Sequence, residues 1–297
     1  MDKTPKVLFL PEASDYIAPT ASESLRLAQP QSTSPFVQGL REAAKSHSVA
    51  VHVGIHHPLA TQPTGTKLVN RALYITADGD IQDSASYDKL HVFDYGSLRE
   101  SATVEPGSAL TPPFNSPVGR IGSLICFDLR FAEPAIALAQ PGEHSAWYGR
   151  SAQILTYPSA FTMRTGQAHW ETLLRARAIE TQSWVVASAQ VGRHNEKRAS
   201  YGRSLVVDPW GEVRARLGGG RRTREVTEGG GGDEGHDYDD DVVAAENGMM
   251  EEIGFVDLDL ERVERVRREM PLRRRSYQER VSGIIDGMLM LLESSVI

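Results

Sequence analysis

The stretch Ile121-Gly122-Ser123-Leu124-Ile125-Cys126 is an apolar run that ends on the only cysteine of the 297-residue chain, and Phe127-Asp128-Leu129-Arg130 follows it directly. The run predicts a buried strand over Gly122–Cys126. A side chain at the carboxyl end of a parallel strand faces the crevice in which α/β proteins place ligands. A single cysteine, however, is more often a small buried hydrophobe than a nucleophile. This stretch alone therefore leaves both interpretations of Cys126 open.

Two further strand ends carry side chains that would complement a cysteine nucleophile. Val7-Leu8-Phe9-Leu10-Pro11-Glu12 places a carboxylate directly after an apolar strand, and Tyr87-Asp88-Lys89-Leu90-His91 supplies an ammonium group. A thiol with an ordinary pKa is mostly protonated at neutral pH, so an enzyme needs a base to take its proton and a cation to stabilise developing charge. Glu12, Lys89 and Cys126 could fill these roles. Each also has an ordinary interpretation, Glu12 as a carboxylate at a helix N-terminus and Lys89 as a surface charge.

The chain up to about Gly219 alternates short β-rich runs with helical stretches, which is the pattern of a layered α/β domain. Two helices are predicted: Phe36–His47, which Pro35 can start, and Thr172–Thr181, which has one apolar face. Further strands are predicted over Val7–Leu10, Val49–Ile55, Arg71–Thr76, Ala152–Tyr157, Trp184–Ala189 and Ser204–Val207.

The composition excludes several classes of protein. One cysteine allows no internal disulfide, no cysteine-rich zinc site and no iron–sulfur cluster, and it indicates a reducing compartment. No apolar run reaches the roughly 18 residues of a membrane helix, and the nine histidines show no metal-ligand spacing. No basic cluster is interleaved with aromatic residues as in a nucleic-acid-binding face. We therefore expect a cytoplasmic protein with no metal, no cofactor, and neither a nucleic-acid nor a membrane partner.

The net charge of −7 is concentrated in one segment. Residues 225–252 hold eleven acidic residues and no lysine or arginine, so the rest of the chain is close to neutral. Residues 218–250 are rich in glycine and poor in large apolar residues, which predicts a disordered loop. After this loop, Ile253–Leu260 alternates like a strand, and Leu260–Met270 predicts a helix stopped by the following proline. Residues 276–297 predict a C-terminal helical extension.

Three motifs taken together resemble a known family, the nitrilase or carbon–nitrogen hydrolase superfamily. They are Phe9–Glu12, Tyr87–His91 and Ile125–Phe131, and each places the residue type that the family uses, in the same order. The resemblance extends over about residues 6–218 and resumes over residues 253–277.

This resemblance implies a fold and an assembly. We expect the α/β class, with the four-layer αββα sandwich of the nitrilase type over a single domain of residues 1–297, and a homodimer or higher homo-oligomer formed through the outer helices. Relatives have a strand and a long helix before the glutamate strand. This chain begins five residues before that strand, so the pair is expected to be missing and a sheet edge to be exposed. Residues 143–150 resemble an insertion in a connection that tolerates extra length.

The resemblance also implies a mechanism. In it, Glu12 takes the thiol proton and Cys126 attacks an amide carbon, while Lys89 and the backbone N–H of Phe127 hold the oxyanion. Ammonia leaves, and a water molecule activated by Glu12 releases the acid from a thioester.

Further residues receive supporting roles from the resemblance. Glu100 corresponds to the family's second glutamate, which positions the lysine and the substrate, and Glu105 is the alternative for that role. Tyr157, Ser159 and Phe161 lie in a stretch similar to the amidase branch that hydrolyses deaminated glutathione. They are therefore candidates for supporting or substrate-binding roles, as is Phe127.

These features favour a thiol amidohydrolase that cleaves a small linear amide bearing a carboxylate, with deaminated glutathione as the first candidate substrate. An ω-amidase acting on α-ketoglutaramate is the alternative enzyme. A catalytically silent, truncated relative that acts as a binding protein is the alternative from another class. Asp128 and Arg130, just past the cysteine, are interpreted as a structural ion pair.

Overall fold

The computed structural model describes residues 4–59, 67–96, 98–219 and 251–272, and beyond these only the backbone of two short strands. The α-helices are α1 (Ala21–Leu27), α2 (Pro35–His47), α3 (Ala132–Ala139), α4 (Met163–Thr181) and α5 (Leu260–Glu269). The strands are β1 (Val7–Phe9), β2 (Ala50–Pro58), β3 (Leu68–Ile75), β4 (Tyr87–Asp88), β5 (Asp94–Tyr95), β6 (Leu98–Arg99), β7 (Phe114–Ser116), β8 (Gly119–Ser123), β9 (Ile154–Thr156), β10 (Trp184–Ala187), β11 (Val191–Asn195), β12 (Arg198–Tyr201), β13 (Leu205–Val207), β14 (Val213–Arg216), β15 (Arg221–Arg222) and β16 (Val242–Val243).

Ten of these strands form two sheets. The first sheet has the order β1-β2-β3-β4, and the second has the order β14-β13-β10-β9-β8-β7. β1 runs parallel to β2, and β9 runs parallel to both β8 and β10. The other pairs within these sheets are antiparallel. β1 in the first sheet leads to Glu12, and β8 in the second sheet leads to Cys126.

The two sheets pack face to face, and helices cover their outer surfaces. Tyr74 of β3 belongs to the same buried cluster as Ile121 and Trp184 of the second sheet. Val37 and Ala44 of α2 pack on the outer face of the first sheet, and α3 and α4 pack against the second. The α/β class and the four-layer αββα order predicted from the resemblance are confirmed.

Both predicted helices in the main part of the chain are present. α2 begins at Pro35, and the Ser34 side chain caps it by accepting the Val37 N–H. α4 begins at Met163, well before the predicted start. The first part of α4 was not predicted because it contains Gly166, a poor helix former. The absence of a side chain at Gly166 leaves room for the ring of Tyr201.

The predicted strand over Ile253–Leu260 is wrong. Residues 251–259 form no strand, although the alternation is real: Ile253 and Phe255 are 63% and 68% exposed, while Val256 and Leu258 pack on the core between the sheets. An extended segment can bury every second side chain against the core without forming backbone hydrogen bonds to a neighbouring strand. The helix predicted after this segment is confirmed as α5.

Two predictions lie wholly or largely outside the described residues, namely the disordered loop over residues 218–250 and the helical extension over residues 276–297. Within the loop, β15 and β16 pair antiparallel. Residues 143–150 connect α3 to β9 through turns, and the Trp147 indole N–H donates to the carbonyl of Ala137 at 2.8 Å. No helix in the described ranges is both long and apolar enough to cross a membrane.

A buried histidine links the two sheets. His52 of β2 is 1% exposed, and its Nε2 lies 2.9 Å from Ser123 Oγ of β8 and 3.3 Å from Thr156 Oγ1 of β9. Burial lowers the pKa of His52 from 6.5 to about 4 because the interior disfavours the charged ring. The ring is therefore neutral at pH 7.

This histidine should make the fold sensitive to acid. Between pH 6.5 and about 4 the unfolded chain binds a proton that native His52 does not, so stability should fall as the pH is lowered through that window. The full effect is about 3 kcal/mol. Chemical unfolding at several pH values should show a smaller loss for His52→Gln than for the wild type. The same pH dependence in both proteins would contradict this assignment.

Candidate active site

Cys126 is the first residue of a short 3₁₀ helix, Cys126–Arg130, that follows β8. β8 ends at Ser123, so the strand stops earlier than predicted. The chain turns at Cys126, whose φ of 43° lies in the left-handed region that few non-glycine residues adopt. Such a conformation costs roughly 1–3 kcal/mol and persists only where the surroundings fix it. Here the Cys126 N–H donates to the carbonyl of Pro158 at 3.0 Å.

Asp128 ties this turn to the loop that carries Lys89. Its Oδ2 accepts the Ile125 N–H at 3.0 Å and the Tyr87 hydroxyl at 2.7 Å. Its Oδ1 accepts the His91 N–H at 3.0 Å and lies 2.7 Å from His91 Nδ1. Ile125 precedes the cysteine, and Tyr87 and His91 flank the lysine. The fully buried Asp128 therefore holds two of the three predicted motifs in a fixed relation.

The predicted ion pair between Asp128 and Arg130 is wrong. Both oxygens of Asp128 are engaged by the groups just described. Arg130 instead lies 3.1 Å from His169 Nδ1, and its guanidinium sits 5.7 and 5.9 Å from the ring centres of Phe127 and Phe161. Side chains two residues apart on a helical turn do not face each other.

Glu12 follows β1 in a tight turn. The carbonyl of Pro11 accepts the Gly54 N–H at 3.0 Å, and Gln190 Nε2 donates to the carbonyl of Glu12 at 3.0 Å. Gly54 of β2 lies so close that a Cβ built on it would come within 2.6 Å of Glu12 Cα. A glycine at this position lets the backbone of Glu12 approach the strand.

Lys89 lies between two carboxylates. Its Nζ is 2.9 Å from Glu12 Oε1, and 3.0 and 2.9 Å from the two oxygens of Glu100. The side chain is only 2% exposed, so Lys89 is not the surface charge of the alternative interpretation. A buried ammonium group is stable only when it is paired and hydrogen-bonded, and here both partners are carboxylates.

Of the two glutamates considered as the supporting residue, Glu100 is the one that reaches Lys89. Its Oε2 also accepts the Phe93 N–H at 2.6 Å. Glu105 is half-exposed and lies 3.8 Å from Lys67.

Sequence analysis missed Asn70, a buried residue of β3. Its Nδ2 donates to Glu12 Oε1 at 2.7 Å and to Glu100 Oε1 at 3.1 Å. The only signal in the sequence was an amide within the otherwise apolar start of a strand. Buried polar side chains are nearly always hydrogen-bonded, so such a residue marks a polar partner without identifying it.

Electrostatics set the charge of each group. Burial opposes ionisation of Glu12, but the charge of Lys89 and hydrogen bonds from Lys89, Cys126 and Asn70 outweigh it and lower the pKa of Glu12. Burial also disfavours the Lys89 cation, yet Glu100 and Glu12 hold its pKa well above the ordinary value. Burial and the charge of Glu12 raise the pKa of the Cys126 thiol well above its ordinary value, against the opposing effect of Lys89. At neutral pH the site therefore holds an ionised glutamate, a protonated lysine and a neutral thiol.

These side chains line one cavity of about 710 Å³, a size typical of small-molecule sites. Glu12, Lys89 and Cys126 form part of its wall together with Glu100 and Asn70. Three further cationic side chains, Arg99, Lys197 and Arg198, and one further carboxylate, Glu196, also line it. The cavity can hold a molecule that extends beyond the reacting group, and its added cations suit a carboxylate.

Four of the predicted supporting residues are near the cysteine in the chain or the core but are not part of the cavity wall. Tyr157 and Ser159 are completely buried, and Ser159 Oγ donates to the carbonyl of Tyr157 at 2.9 Å. The rings of Phe161 and Phe127 flank the guanidinium of Arg130. None of these four lines the cavity, whereas Ala160 does. Supporting or substrate-binding roles for Tyr157, Ser159, Phe161 and Phe127 therefore stay predictions.

Known proteins share much of this sequence. The family model described as carbon-nitrogen hydrolase matches residues 2–227. The probable hydrolase nit2 of Schizosaccharomyces pombe is 42% identical over 280 residues, which cover 92% of this chain and 87% of that protein. The deaminated glutathione amidase of Bos taurus is 45% identical over 218 residues, 71% of this chain and 63% of that protein. The match thus spans less than two thirds of the bovine protein.

Solved structures show the same fold. The C. elegans NitFhit protein superposes with a TM-score of 0.69 at 36% identity, covering 90% of this chain and 55% of that one. Saccharomyces cerevisiae Nit3, a member of branch 10 of the nitrilase superfamily, gives a TM-score of 0.67 at 27% identity, covering 91% of this chain and 82% of that one.

Replacing Glu12 by glutamine should change the pKa of the Cys126 thiol and the rate of amide turnover in a predictable way. The change removes a negative charge that helps raise the pKa of Cys126, while Lys89 remains, so the thiol pKa should fall. Amide turnover should nevertheless drop by roughly 10²-fold or more, because the base is lost. Thiolate absorbance in the ultraviolet reports the titration of the single cysteine, with Cys126→Ser as the blank. An unchanged or higher thiol pKa in Glu12→Gln would refute the charge assignment.

Gly54→Ala should disturb the position of Glu12. A Cβ at 2.6 Å from Glu12 Cα must push the two backbones apart, and a displacement of about 1 Å can lower turnover by roughly 10²-fold. Gly39→Ala in α2 is the matched control, since nothing lies within 4 Å of its added Cβ. That control should keep full activity and gain about 0.5–1 kcal/mol of stability. Equal activities in the two variants would show that the close approach does not matter.

Proposed function

The chain belongs to the carbon-nitrogen hydrolase family and is a hydrolase of carbon–nitrogen bonds in linear amides, and we propose that it works as a thiol amidohydrolase through Glu12, Lys89 and Cys126. The observation that carries the proposal is the buried cluster in which Lys89 Nζ lies 2.9 Å from Glu12 Oε1 and both side chains share the wall of one cavity with Cys126. This combination supplies a base, a nucleophile and a positive charge to one cavity.

In the first half of the reaction, Glu12 takes the thiol proton as the Cys126 sulfur attacks the carbonyl carbon of the amide. The oxyanion that forms is stabilised by the Lys89 ammonium group and by the backbone N–H of Phe127. Phe127 is the second residue of the 3₁₀ helix, and the first N–H groups of a helix have no acceptor within it. Glu12 then gives the proton to the leaving nitrogen, the carbon–nitrogen bond breaks, and a thioester remains on Cys126.

In the second half, water enters and Glu12 takes one of its protons as the oxygen attacks the thioester carbon. The tetrahedral intermediate collapses, the carbon–sulfur bond breaks and the acid is released. The proton held by Glu12 returns to the Cys126 sulfur, which restores the resting charges. A primary amide yields ammonia in this cycle, and a substituted amide yields the corresponding amine.

For the substrate, we propose deaminated glutathione, the compound named in the bovine relative. Two features of the cavity support it. A volume of about 710 Å³ exceeds the need of a compact amide acid such as α-ketoglutaramate. Arg99, Lys197 and Arg198 on the wall offer positive charge to a substrate that carries a carboxylate at each end. α-Ketoglutaramate is the competing substrate, and an ω-amidase is the competing function.

We also propose that the protein is a homodimer in the cytoplasm. Ile179 at the end of α4 and Trp210 in the β13–β14 turn are large apolar side chains that are 44% and 55% exposed, and they offer apolar surface on the outer helical layer. The single cysteine is a free thiol, which suits a reducing compartment.

The test compares kcat/KM for deaminated glutathione and α-ketoglutaramate in the wild type and in Cys126→Ala. We expect turnover of both, with deaminated glutathione preferred, and only background rates in Cys126→Ala. Intact-protein mass spectrometry of the wild type, quenched during turnover, should show the acyl group as an added mass, and Cys126→Ala should show no such adduct. Turnover unchanged by Cys126→Ala would refute the mechanism.

A preference for α-ketoglutaramate would favour the ω-amidase instead. No turnover of either amide by a cooperatively folded protein would favour the silent binding protein.

A further inference from the structure

Asn70 contacts both carboxylates that flank Lys89, those of Glu12 and Glu100. It lies on β3 and pairs with His56 of β2 in the sheet register. Its backbone carbonyl accepts the Lys89 N–H at 2.9 Å, so the residue also fixes the backbone of the lysine. The side chain is 4% exposed and contributes to the wall of the cavity.

The amide of Asn70 is committed to the two glutamates. Nδ2 is within hydrogen-bond distance of Glu12 Oε1 at 2.7 Å and of Glu100 Oε1 at 3.1 Å. Carboxylates only accept hydrogen bonds, so the nitrogen and not the oxygen must face them. The Asn70 Oδ1 is left buried with no hydrogen-bond partner among the described residues. An unsatisfied buried acceptor is unfavourable, and this one is tolerated because the other side of the amide holds two charges.

The two carboxylates differ in how many oxygens are occupied. Glu100 uses both: Oε1 accepts from Lys89 and Asn70, and Oε2 accepts from Lys89 and the Phe93 N–H. Glu12 accepts from Lys89 and Asn70 through Oε1 alone. Among the described residues, no N–H group donates to Glu12 Oε2. That oxygen is therefore the one left to receive a proton.

We propose that Asn70 is a positioning residue of the reaction, which holds Glu12 through Oε1 so that Oε2 serves the thiol, and which holds Glu100 away from that role. The inference rests on the proposed function in one respect, that Glu12 is the base. A neutral amide can bind both carboxylates without adding charge to the site, whereas a second cation would compete with Lys89. The hydrogen bond from Asn70 also favours the ionised form of Glu12.

The experiment uses three variants of the full chain. Asn70→Ala removes both hydrogen bonds, and Asn70→Asp keeps the shape but replaces the donor by an acceptor. Val69→Ala is the matched control, because Val69 is the buried neighbour on the same strand and its side chain points to the opposite face of the sheet. Two readouts are taken against pH: kcat/KM for the amide, and the rate at which iodoacetamide alkylates the only cysteine.

For Asn70→Ala we expect kcat/KM to fall roughly 10- to 100-fold at pH 7, mainly through kcat, which is the size expected for a lost hydrogen bond to a charged group. The acid limb of both pH profiles should move to higher pH, since Glu12 loses a donor that favours its ionised form. Asn70→Asp should be more impaired at pH 7 than Asn70→Ala, because a third carboxylate then faces the other two. Val69→Ala should lose stability without any movement of the acid limb.

The proposal would be overturned if the acid limb of the pH profiles did not move in Asn70→Ala and if, at equal stability, its activity fell only as far as that of Val69→Ala. Asn70 would then be a structural residue. Wild-type activity in Asn70→Asp would overturn the proposal as well. The alkylation profile needs no substrate. If neither amide is turned over but the alkylation limb still moves, the proposed substrate fails while the positioning role stands.

Discussion

The site depends on the burial of one ammonium group between two carboxylates. Lys89 is almost completely removed from water and contacts Glu12 and Glu100 at 2.9 to 3.0 Å. Removing one partner of such a group leaves a buried charge uncompensated, at a cost of about 3–5 kcal/mol. The surrounding structure is therefore arranged to keep all three charges in place. Asp128 fixes the lysine loop against the cysteine turn, Gly54 admits the backbone of Glu12, and Asn70 holds both carboxylates.

This arrangement explains why the thiol is neutral at rest. Lys89 alone would favour a thiolate, but its charge is already matched by two carboxylates, and burial together with the charge of Glu12 raises the pKa of Cys126. In the proposed mechanism the proton is therefore transferred as the sulfur attacks, so no reactive anion persists in the cavity at rest. In the same mechanism, the hydrogen bonds at Oε1 keep Glu12 ionised at rest, so the carboxylate is available as a base for the thiol and later for water.

The sequence predicted Glu12, Lys89 and Cys126 as members of the site, because each has a residue type suited to catalysis and lies at the end of a strand. It also predicted most of the strands of the two sheets, because these strands contain runs of apolar residues. It missed Asn70, and it assigned Asp128 to the wrong partner, because the role of each depends on groups that are distant along the chain and close only in the fold. The strand predicted after the acidic loop failed for a related reason: alternation reports which side chains are buried and does not report whether the backbone has a partner.

The ionised carboxylate and the neutral thiol beside the buried ammonium group can be detected by infrared difference spectroscopy at neutral pH, since the chain has a single cysteine. We expect an S–H stretching band that disappears in Cys126→Ser, and no protonated-carboxyl band that depends on Glu12. An absent S–H band, together with a protonated-carboxyl band that is lost in Glu12→Gln, would contradict these charge states.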